Sequence, residues 1–493
     1  MRKMLVKQRV FILHVFFALC SHLHSQNLFV PKELYKHQDY VGCYKLLKQS
    51  KSSPAVSSLL LKCLDKLDST EVALRLAQQL IKNSNAVIEF EFFGDVYFKA
   101  NRIDSALILY QKTAKLKSTQ SLQRKIQQVY NFKELSKTQG NITINNIGTD
   151  VNKANKQYFP QVKYDTLLLY NDKQYPIAER IKCYHTIEGT VKTITLQLKD
   201  SPQDFKDLYI ISSSTKSEFV LLNVLHKSVD FYTLKLCKYN HQERTITEVS
   251  NLNAQLSKSL SDESSAFISD DGEQIVFSSN RKGGFGGYDI YISKILPNGD
   301  FSNPRNIGKS INTNANEEFP TLSPDGKKIF FSSDGHTSIG GYDLFVSDYD
   351  SINHEFTHVR NLGMDVNTIG DNFNITINSS GRTAYTSGNY KALETFGDDD
   401  IYELTFNDIE ANTIVVIGET HQANVSSIEI TNKITGDLVG IYKTNTNNGK
   451  FVAALEPGKY DMLFFIDDKE FTKPLVVQNL PNLSEIVMDF DFK

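Results

Sequence analysis

Aspartate is the residue whose placement in this chain most invites a chemical reading. Asp230, Asp289, Asp343 and Asp400 each open a strand-like run: Asp230-Phe-Tyr-Thr-Leu, Asp289-Ile-Tyr-Ile, Asp343-Leu-Phe-Val and Asp400-Ile-Tyr-Glu-Leu. A carboxylate at such a position can serve as an acid or base in a cleft, or accept backbone N–H groups and hold a turn. Recurrence at one position of a repeat favours the second, because a reaction needs its acid once and not once per repeat. Asp398-Asp399-Asp400 is the densest carboxylate run, and clustered carboxylates suit a hard cation such as Ca²⁺. Beside a repeat Asp it is read as a solvated loop, and no metal is expected there. His336 and His354 stand in loops without partners at useful spacing. The chain contains no Gly-x-Ser-x-Gly elbow, His-Glu-x-x-His pair, phosphate loop or dinucleotide fingerprint. The expectation is a chain without catalytic residues and without a cofactor, and so not an enzyme.

The elements that would carry these aspartates come round at a fixed period. Ser269-Asp-Asp-Gly-Glu-Gln-Ile-Val-Phe-Ser-Ser, Ser323-Pro-Asp-Gly-Lys-Lys-Ile-Phe-Phe-Ser-Ser and Asn378-Ser-Ser-Gly-Arg-Thr-Ala-Tyr-Thr-Ser are three copies of one strand–turn–strand pattern. Gly272, Gly326 and Gly381 mark their turns, where a tight hairpin needs a positive φ. A second marker, Asn146-Ile-Gly148, Asn306-Ile-Gly308 and Asn361-Leu-Gly363, recurs, with Gly308 and Gly363 55 residues apart. Short strands at such a period predict propeller blades. The run from Gly148 to Asn253 is 105 residues, room for two more diverged blades. The count is five, with six as the alternative. The last copy stops at Phe406 one strand short, and the unused stretch Asn141-Ile-Thr-Ile-Asn is expected to supply it and close the ring.

The motif Ser-Pro-Asp-Gly-Lys-Lys-Ile-Phe-Phe-Ser-Ser with Gly340-Gly-Tyr-Asp-Leu-Phe resembles the TolB-like, WD-like propeller repeats of bacterial periplasmic proteins. Two copies carry the resemblance closely; the two N-terminal blades match poorly.

At 493 residues the chain is too long for one core, and its net charge of −3 gives no electrostatic argument for nucleic acid. Residues 1–25 read as a secretory signal, basic at Arg2, Lys3, Lys7 and Arg9 and apolar over 10–20. The apolar run is too short to span a bilayer. Cys20 raises lipidation, but Leu19 stands where a small residue is usual. Of the remaining cysteines, Cys43 and Cys63 are read either as a bridge between helices or, with Cys183 and Cys237, as buried thiols.

Residues 26–137 turn helical in period. Phe90, Phe93-Gly94, Tyr97, Ala106 and Tyr110 fall at tetratricopeptide positions, with Gly94 and Ala106 small enough for two helices to approach and Tyr97 and Tyr110 filling the gap. This segment resembles a short tetratricopeptide array. Such arrays grip a peptide or partner in a groove; bracing the propeller is the plainer role. Residues 138–408 are assigned to the propeller. Residues 409–493 alternate at period two between Thr435-Gly436, Asn448-Gly449 and Pro457-Gly458 turns. They predict a seven-strand sandwich, and the stretch Asn447-Asn-Gly-Lys-Phe-Val-Ala-Ala-Leu-Glu-Pro-Gly-Lys-Tyr resembles the carboxypeptidase-regulatory-like domain.

Helical array, propeller and sandwich in this order resemble the periplasmic scaffold of the Bacteroidetes type IX secretion and gliding machinery, without its C-terminal OmpA-like module. The resemblance implies a periplasmic, outer-membrane-associated scaffold that binds outer-membrane or secretion-machinery proteins and touches peptidoglycan only indirectly. Two readings compete with it: a propeller that binds glycan or peptide, and a propeller hydrolase.

Overall fold

The computed structural model describes residues 28–492 except 51–52, 68, 84–89, 139, 165, 187, 215–217, 229–231, 253–255, 257–260, 270–271, 297–300, 379, 391–392, 394, 410–413, 421–424, 435, 446–448, 457, 468 and 478–484. The expected leader with Cys20, and Asp230, lie outside the described residues. The chain divides into two compact units, residues 1–133 and 134–493.

The first unit is helical. Among the described residues it runs α1 (Phe29–Lys36), α2 (Tyr40–Gln49), α3 (Pro54–Lys66), α4 (Thr70–Asn83), α5 (Phe90–Lys99), α6 (Ile103–Leu116) and α7 (Gln120–Leu135). Local chemistry sets the starts: the Asp39 carboxylate accepts the Gly42 N–H at 2.8 Å, and Ser53 caps α3 just before Pro54. Helices α5 and α6 pack closely because residue 94 is glycine. A Cβ there would lie 2.4 Å from the Tyr110 ring. Tyr110 is buried, and its hydroxyl donates to Asp95 at 2.8 Å, while Lys125 Nζ bonds Asp95 at 2.8 Å and Glu91 at 2.9 Å. Ala106 is fully buried, and Tyr97 packs partly buried against the cluster of Phe93, Val96 and Leu109. Cys43 and Cys63 are free thiols in contact, Sγ to Sγ 3.0 Å. No described helix is long and apolar enough to cross a membrane.

The second unit is built of mostly antiparallel sheets, with parallel pairs among the described residues only at 195–197 against 245–247 and at 415–420 against 485–490. After β1 (Ile142–Asn146), the first sheet holds β2 (Gln157–Lys163), β3 (Leu167–Asp172), β4 (Ile181–His185) and β5 (Thr190–Thr193). The second holds β6 (Thr195–Gln197), β7 (Phe205–Ser213), β8 (Phe219–His226), β9 (Tyr232–Asn240) and β10 (Thr245–Asn251), with β6 added parallel to β10. The third is β11 (Glu263–Ile268), β12 (Gln274–Ser279), β13 (Asp289–Lys294) and β14 (Arg305–Asn306). The fourth is β15 (Glu317–Leu322), β16 (Lys328–Ser333), β17 (Asp343–Asp350) and β18 (Glu355–Asn361). The fifth is β19 (Phe373–Ile377), β20 (Thr383–Gly388) and β21 (Asp400–Phe406), completed by β1 pairing antiparallel on β21 from Ile142↔Phe406 to Asn146↔Tyr402.

The first strands of these sheets touch in order, β2 on β7, β7 on β11, β11 on β15, β15 on β19, and β19 returns to β2. The sheets therefore surround a common axis, the radial arrangement of a propeller. Apolar clusters fill the gaps between neighbours: Leu208, Val220 and Leu222 with Leu169 and Cys183 in one, Phe267 and Val276 with Ile329 and Phe331 in another.

Beyond the ring, β22 (Ile414–Thr420), β23 (Val425–Asn432), β24 (Leu438–Tyr442), β25 (Lys450–Leu455), β26 (Gly458–Ile466), β27 (Lys469–Val477) and β28 (Glu485–Phe490) form two sheets, β25-β22-β28 and β24-β23-β26-β27. Alternating inward residues of both, Ile414, Val416, Ile428, Met462 and Phe464 among them, share one core.

Candidate functional site

The repeat aspartates sit in one recurring bracket. Asp289 is 1% exposed and accepts the N–H groups of Phe285 at 2.6 Å and Gly286 at 3.0 Å. Asp400 does the same with Phe396 at 2.7 Å and Gly397 at 3.1 Å, and Asp343 accepts the Ile339 N–H at 2.8 Å. Each also receives an Asn side-chain N–H: Asn306 to Asp289 at 2.7 Å, Asn361 to Asp343 at 2.8 Å and Asn146 to Asp400 at 2.9 Å. The same three Asn accept the amides of Gly308, Gly363 and Gly148. Six residues after each, Asn312, Asn367 and Asn152 bond both backbone groups of Ile290, Leu344 and Ile401. Asp289 and Asp400 use both carboxylate oxygens within these loops, whereas Asp343 uses Oδ2 and leaves Oδ1 buried without a partner among the described residues. Gly272, Gly326 and Gly381 take φ of +71°, +68° and +73° at the hairpin turns. The Asp398–Asp400 run does not converge: Asp400 faces its loop, and Asp399 pairs with Lys156 at 2.7 Å.

The chemistry-bearing groups of the ring lie elsewhere, at the starts of its innermost strands. Each of these strands slips register near its start, for example between Tyr158 and Gln161, Glu318 and Thr321, and Phe373 and Ile375. Such bulges re-aim side chains. Phe159, Phe319 and Asn374 adopt positive φ of +51°, +52° and +56° at these points. The freed amides are caught by serines of the preceding sheet, Phe319 N–H by Ser265 Oγ at 2.8 Å and Phe159 N–H by Ser387 Oγ at 3.3 Å. The rings then meet on the axis: Phe159 to Phe319 at 5.3 Å, Phe159 to Tyr209 at 5.2 Å, Phe319 to Phe373 at 5.2 Å and Phe373 to Tyr342 at 5.0 Å. Because β2 and β15 belong to non-adjacent sheets, the first of these contacts crosses the channel.

Beside this aromatic floor runs an arc of carboxyl–tyrosine pairs. Asp207 on β7 accepts the Tyr232 hydroxyl at 3.3 Å and is ion-paired with Arg180 Nη1. Asp262, just before β11, accepts the Tyr288 hydroxyl at 2.8 Å. Glu318 on β15 accepts the Tyr342 hydroxyl at 2.5 Å. Asp262 joins the three pairs, for its charge acts on both Tyr232 and Glu318. Burial raises the Glu318 carboxyl above its ordinary range, the hydrogen bond from the Tyr342 hydroxyl opposes that, and the negative charges of Asp262 and Asp334 add to it. Burial likewise pushes the Tyr232 hydroxyl up to about 12, keeping it a donor. Asp262 Oδ1 is buried with no hydrogen-bond partner in the structure. Tyr288 and Tyr342 directly precede the repeat aspartates in the Gly-Gly-Tyr-Asp motif. That motif held the missing signal: its tyrosine, and not its aspartate, faces the mouth.

Half-buried rings can stack on the C–H faces of a sugar, carboxylates can accept its hydroxyls, and a carboxyl that holds its proton can donate it.

No described protein family matches the chain, and no curated protein does so either. Solved structures do. The endo-arabinase from Bacteroides thetaiotaomicron is 13% identical, covers 50% of this chain and 93% of its own, with a TM-score of 0.35. The α-L-arabinanase of Penicillium chrysogenum complexed with arabinobiose is 10% identical over 54% of this chain and 100% of its own, at 0.34. The α-L-arabinofuranosidase from Lactobacillus brevis is 10% identical over 60% and 93%, at 0.32. At such identity and scores no activity transfers to this chain. The expectation of a chain without catalysis is nevertheless corrected: these matching structures are enzymes by name. Missing motifs of hydrolase, zinc and nucleotide folds gave no ground for excluding one, because the ring draws its carboxyls from separate strands.

Proposed function

We propose that the mouth of the ring, read as a five-bladed propeller, binds a glycan and is equipped to cleave it. The observation that carries this reading is the arc Asp207–Tyr232, Asp262–Tyr288, Glu318–Tyr342 lying against the Phe159–Phe319 floor. Stacking faces and hydroxyl acceptors together are what a polyhydroxylated ring requires. In the cleavage step Glu318 is the proton donor to the leaving oxygen, and Asp262, with its unpartnered Oδ1, accepts a substrate hydroxyl or the attacking water. Asp207, ion-paired with Arg180, carries the fixed charge that orients the ring. In this reading the tetratricopeptide-like helices and the C-terminal sandwich are accessory modules of an envelope protein.

The test is titration calorimetry of the full chain against oligosaccharides from arabinan and fructan, with peptides as controls, followed by an assay for reducing ends. Binding of a glycan that weakens at least about tenfold in Asp262→Asn and Phe319→Ala is the expected result. Release of reducing ends that stops in Glu318→Gln makes the site hydrolytic; binding without release makes it a receptor. A chain that ignores every glycan and takes peptides instead refutes the reading.

A further inference from the structure

A second cavity lies away from the mouth, where the outer strands of the first two sheets come together. Its volume is about 360 Å³, and it is lined by Leu167, Cys183 and His185, by Glu188, Thr190 and Lys192 of the β4–β5 hairpin, and by Tyr239, His241, Gln242 and Arg244 at the β9–β10 turn. That size suits a small organic molecule.

The lining divides by chemistry. Leu167, Cys183 and Tyr239 are buried and form an apolar floor, with the Tyr239 hydroxyl turned to Cys183 Sγ at 3.7 Å. The rim carries charge of mostly one sign. Neither Lys192 Nζ nor the Arg244 guanidinium has a hydrogen-bond or ion-pair partner among the described residues, although many lysines and arginines of the ring are paired. Arg244 is held in place by its backbone, at φ +53° with its carbonyl accepting the Thr195 N–H at 3.0 Å. His241 stacks edge-on against Tyr239 at 6.3 Å and makes no side-chain hydrogen bond among the described residues. The one acid of the rim, Glu188, is occupied: Thr190 Oγ1 donates to it at 3.2 Å, and His185 Nε2 stands 4.0 Å away. His185 Nδ1 accepts the Glu188 N–H at 3.2 Å, which leaves its proton on Nε2. Lys459, in the same compact unit, adds a further positive charge near His185.

An apolar floor under unpaired cations is complementary to a molecule with an apolar body and an anionic head. We infer that this cavity is a binding site for a small organic carboxylate, with the ring or alkyl part on Leu167, Cys183 and Tyr239 and the carboxylate between Lys192 and Arg244. Arg244 supplies the planar fork that matches a carboxylate's two oxygens, and Lys192 the point charge. The site is independent of the channel mouth.

Benzoate is the probe, with benzyl alcohol as its neutral counterpart and inorganic phosphate as an anion without an apolar body. Binding to the full chain is followed by calorimetry and by ligand-observed NMR at low salt. The expected result is that benzoate binds at least about tenfold more tightly than either control. It should weaken about tenfold or more in Arg244→Gln and in Lys192→Gln, and fall with added salt. Both side chains are exposed, so these variants keep the fold, and unchanged thermal unfolding confirms it. Equal binding of benzyl alcohol, phosphate binding as tight as benzoate, or benzoate binding unmoved in both variants would each overturn the assignment. So would saturable benzoate binding that is lost in Glu318→Gln, because it would place the ligand at the mouth.

Discussion

Phe159 and Phe319 meet across the axis of the ring with their centroids 5.3 Å apart, each at a positive φ near +50°. Two bulky residues in the left-handed region are unusual, and each costs roughly 1–3 kcal/mol unless its surroundings determine it. Here a serine hydroxyl of the neighbouring sheet holds each amide. Phe319→Ala should therefore lower stability by about 2–3 kcal/mol, less than for a fully buried ring because this one is half-buried. Urea unfolding measures it; a loss below about 0.5 kcal/mol would mean that the floor is decoration.

The brackets around the repeat aspartates make a second prediction. Asn at 289 would replace one accepting oxygen with an N–H donor, set either against the Gly286 amide or against the Phe285 amide and the Asn306 side chain. Asp289→Asn is expected to cost about 1–3 kcal/mol, with glycan binding at the mouth kept in the folded fraction. Binding abolished at unchanged stability would assign Asp289 a direct role instead.

Glu317 provides a test by pH. It is fully buried at the start of β15, accepts from Thr313 N–H at 2.8 Å and Oγ1 at 2.7 Å and from Ser333 at 2.8 Å, and burial pushes its carboxyl up to about 7. Asp343 is pushed up to about 7 for the same reason. With the folded value above the unfolded one, the native state holds the extra proton. The stabilisation is complete below the ordinary 4.5 of Glu317 and is lost as pH rises through about 7. The melting temperature should fall across that window. Glu317→Gln should flatten the fall, because Gln157 performs the same task in the first sheet, its Oε1 accepting the Lys153 N–H at 2.9 Å. A Gln variant whose melting temperature declines as steeply as the parent's disproves the assignment.

Glu318 can be followed directly. Its carboxyl resonance should titrate above the ordinary 4.5, and higher again in Tyr342→Phe, because the Tyr342 hydroxyl stabilises the charged form. If cleavage occurs, the alkaline limb of its pH profile should move the same way. A lower midpoint in Tyr342→Phe contradicts the arrangement.

In the helical unit, Gly94→Ala drives a methyl into the Tyr110 ring at 2.4 Å. The expected net loss is about 1–2 kcal/mol after the roughly 1 kcal/mol that alanine gains in a helix. Hydrogen exchange over residues 90–116 reads it, and slow exchange equal to the parent's would show that Tyr110 steps aside without cost.

What could be read from the residues was what repeats locally. The Asn-x-Gly turns, the Gly at each hairpin and the Asp at each loop lie within a few residues of their partners, so their spacing carries the geometry. The leftover strand at 142–146 was legible because the repeat phase left one position open. Strand β5 was missed because all four of its residues are exposed and give no apolar alternation, and β6 pairs parallel with a distant strand. The mouth was illegible for a different reason. Asp207, Asp262 and Glu318 enter from three sheets and stand 55 and 56 residues apart, close to the repeat period, but the residues around them share no motif, so nothing local marks the position.

The pairing of β1 with β21 also decides how the ring bears force. Ile142 faces Phe406, and the Asn407 N–H donates to the Asn141 carbonyl at 3.0 Å, so the chain arrives at the ring and departs from it at one spot. Tension between residues 141 and 407 would not travel around the sheets at all. It would fall on a single antiparallel strand pair, pulled from the same end, and would open it one hydrogen bond at a time like a zip. The ring is thus mechanically a side loop on the line between its neighbours, closed by a clasp that yields early and leaves the inner strands unloaded.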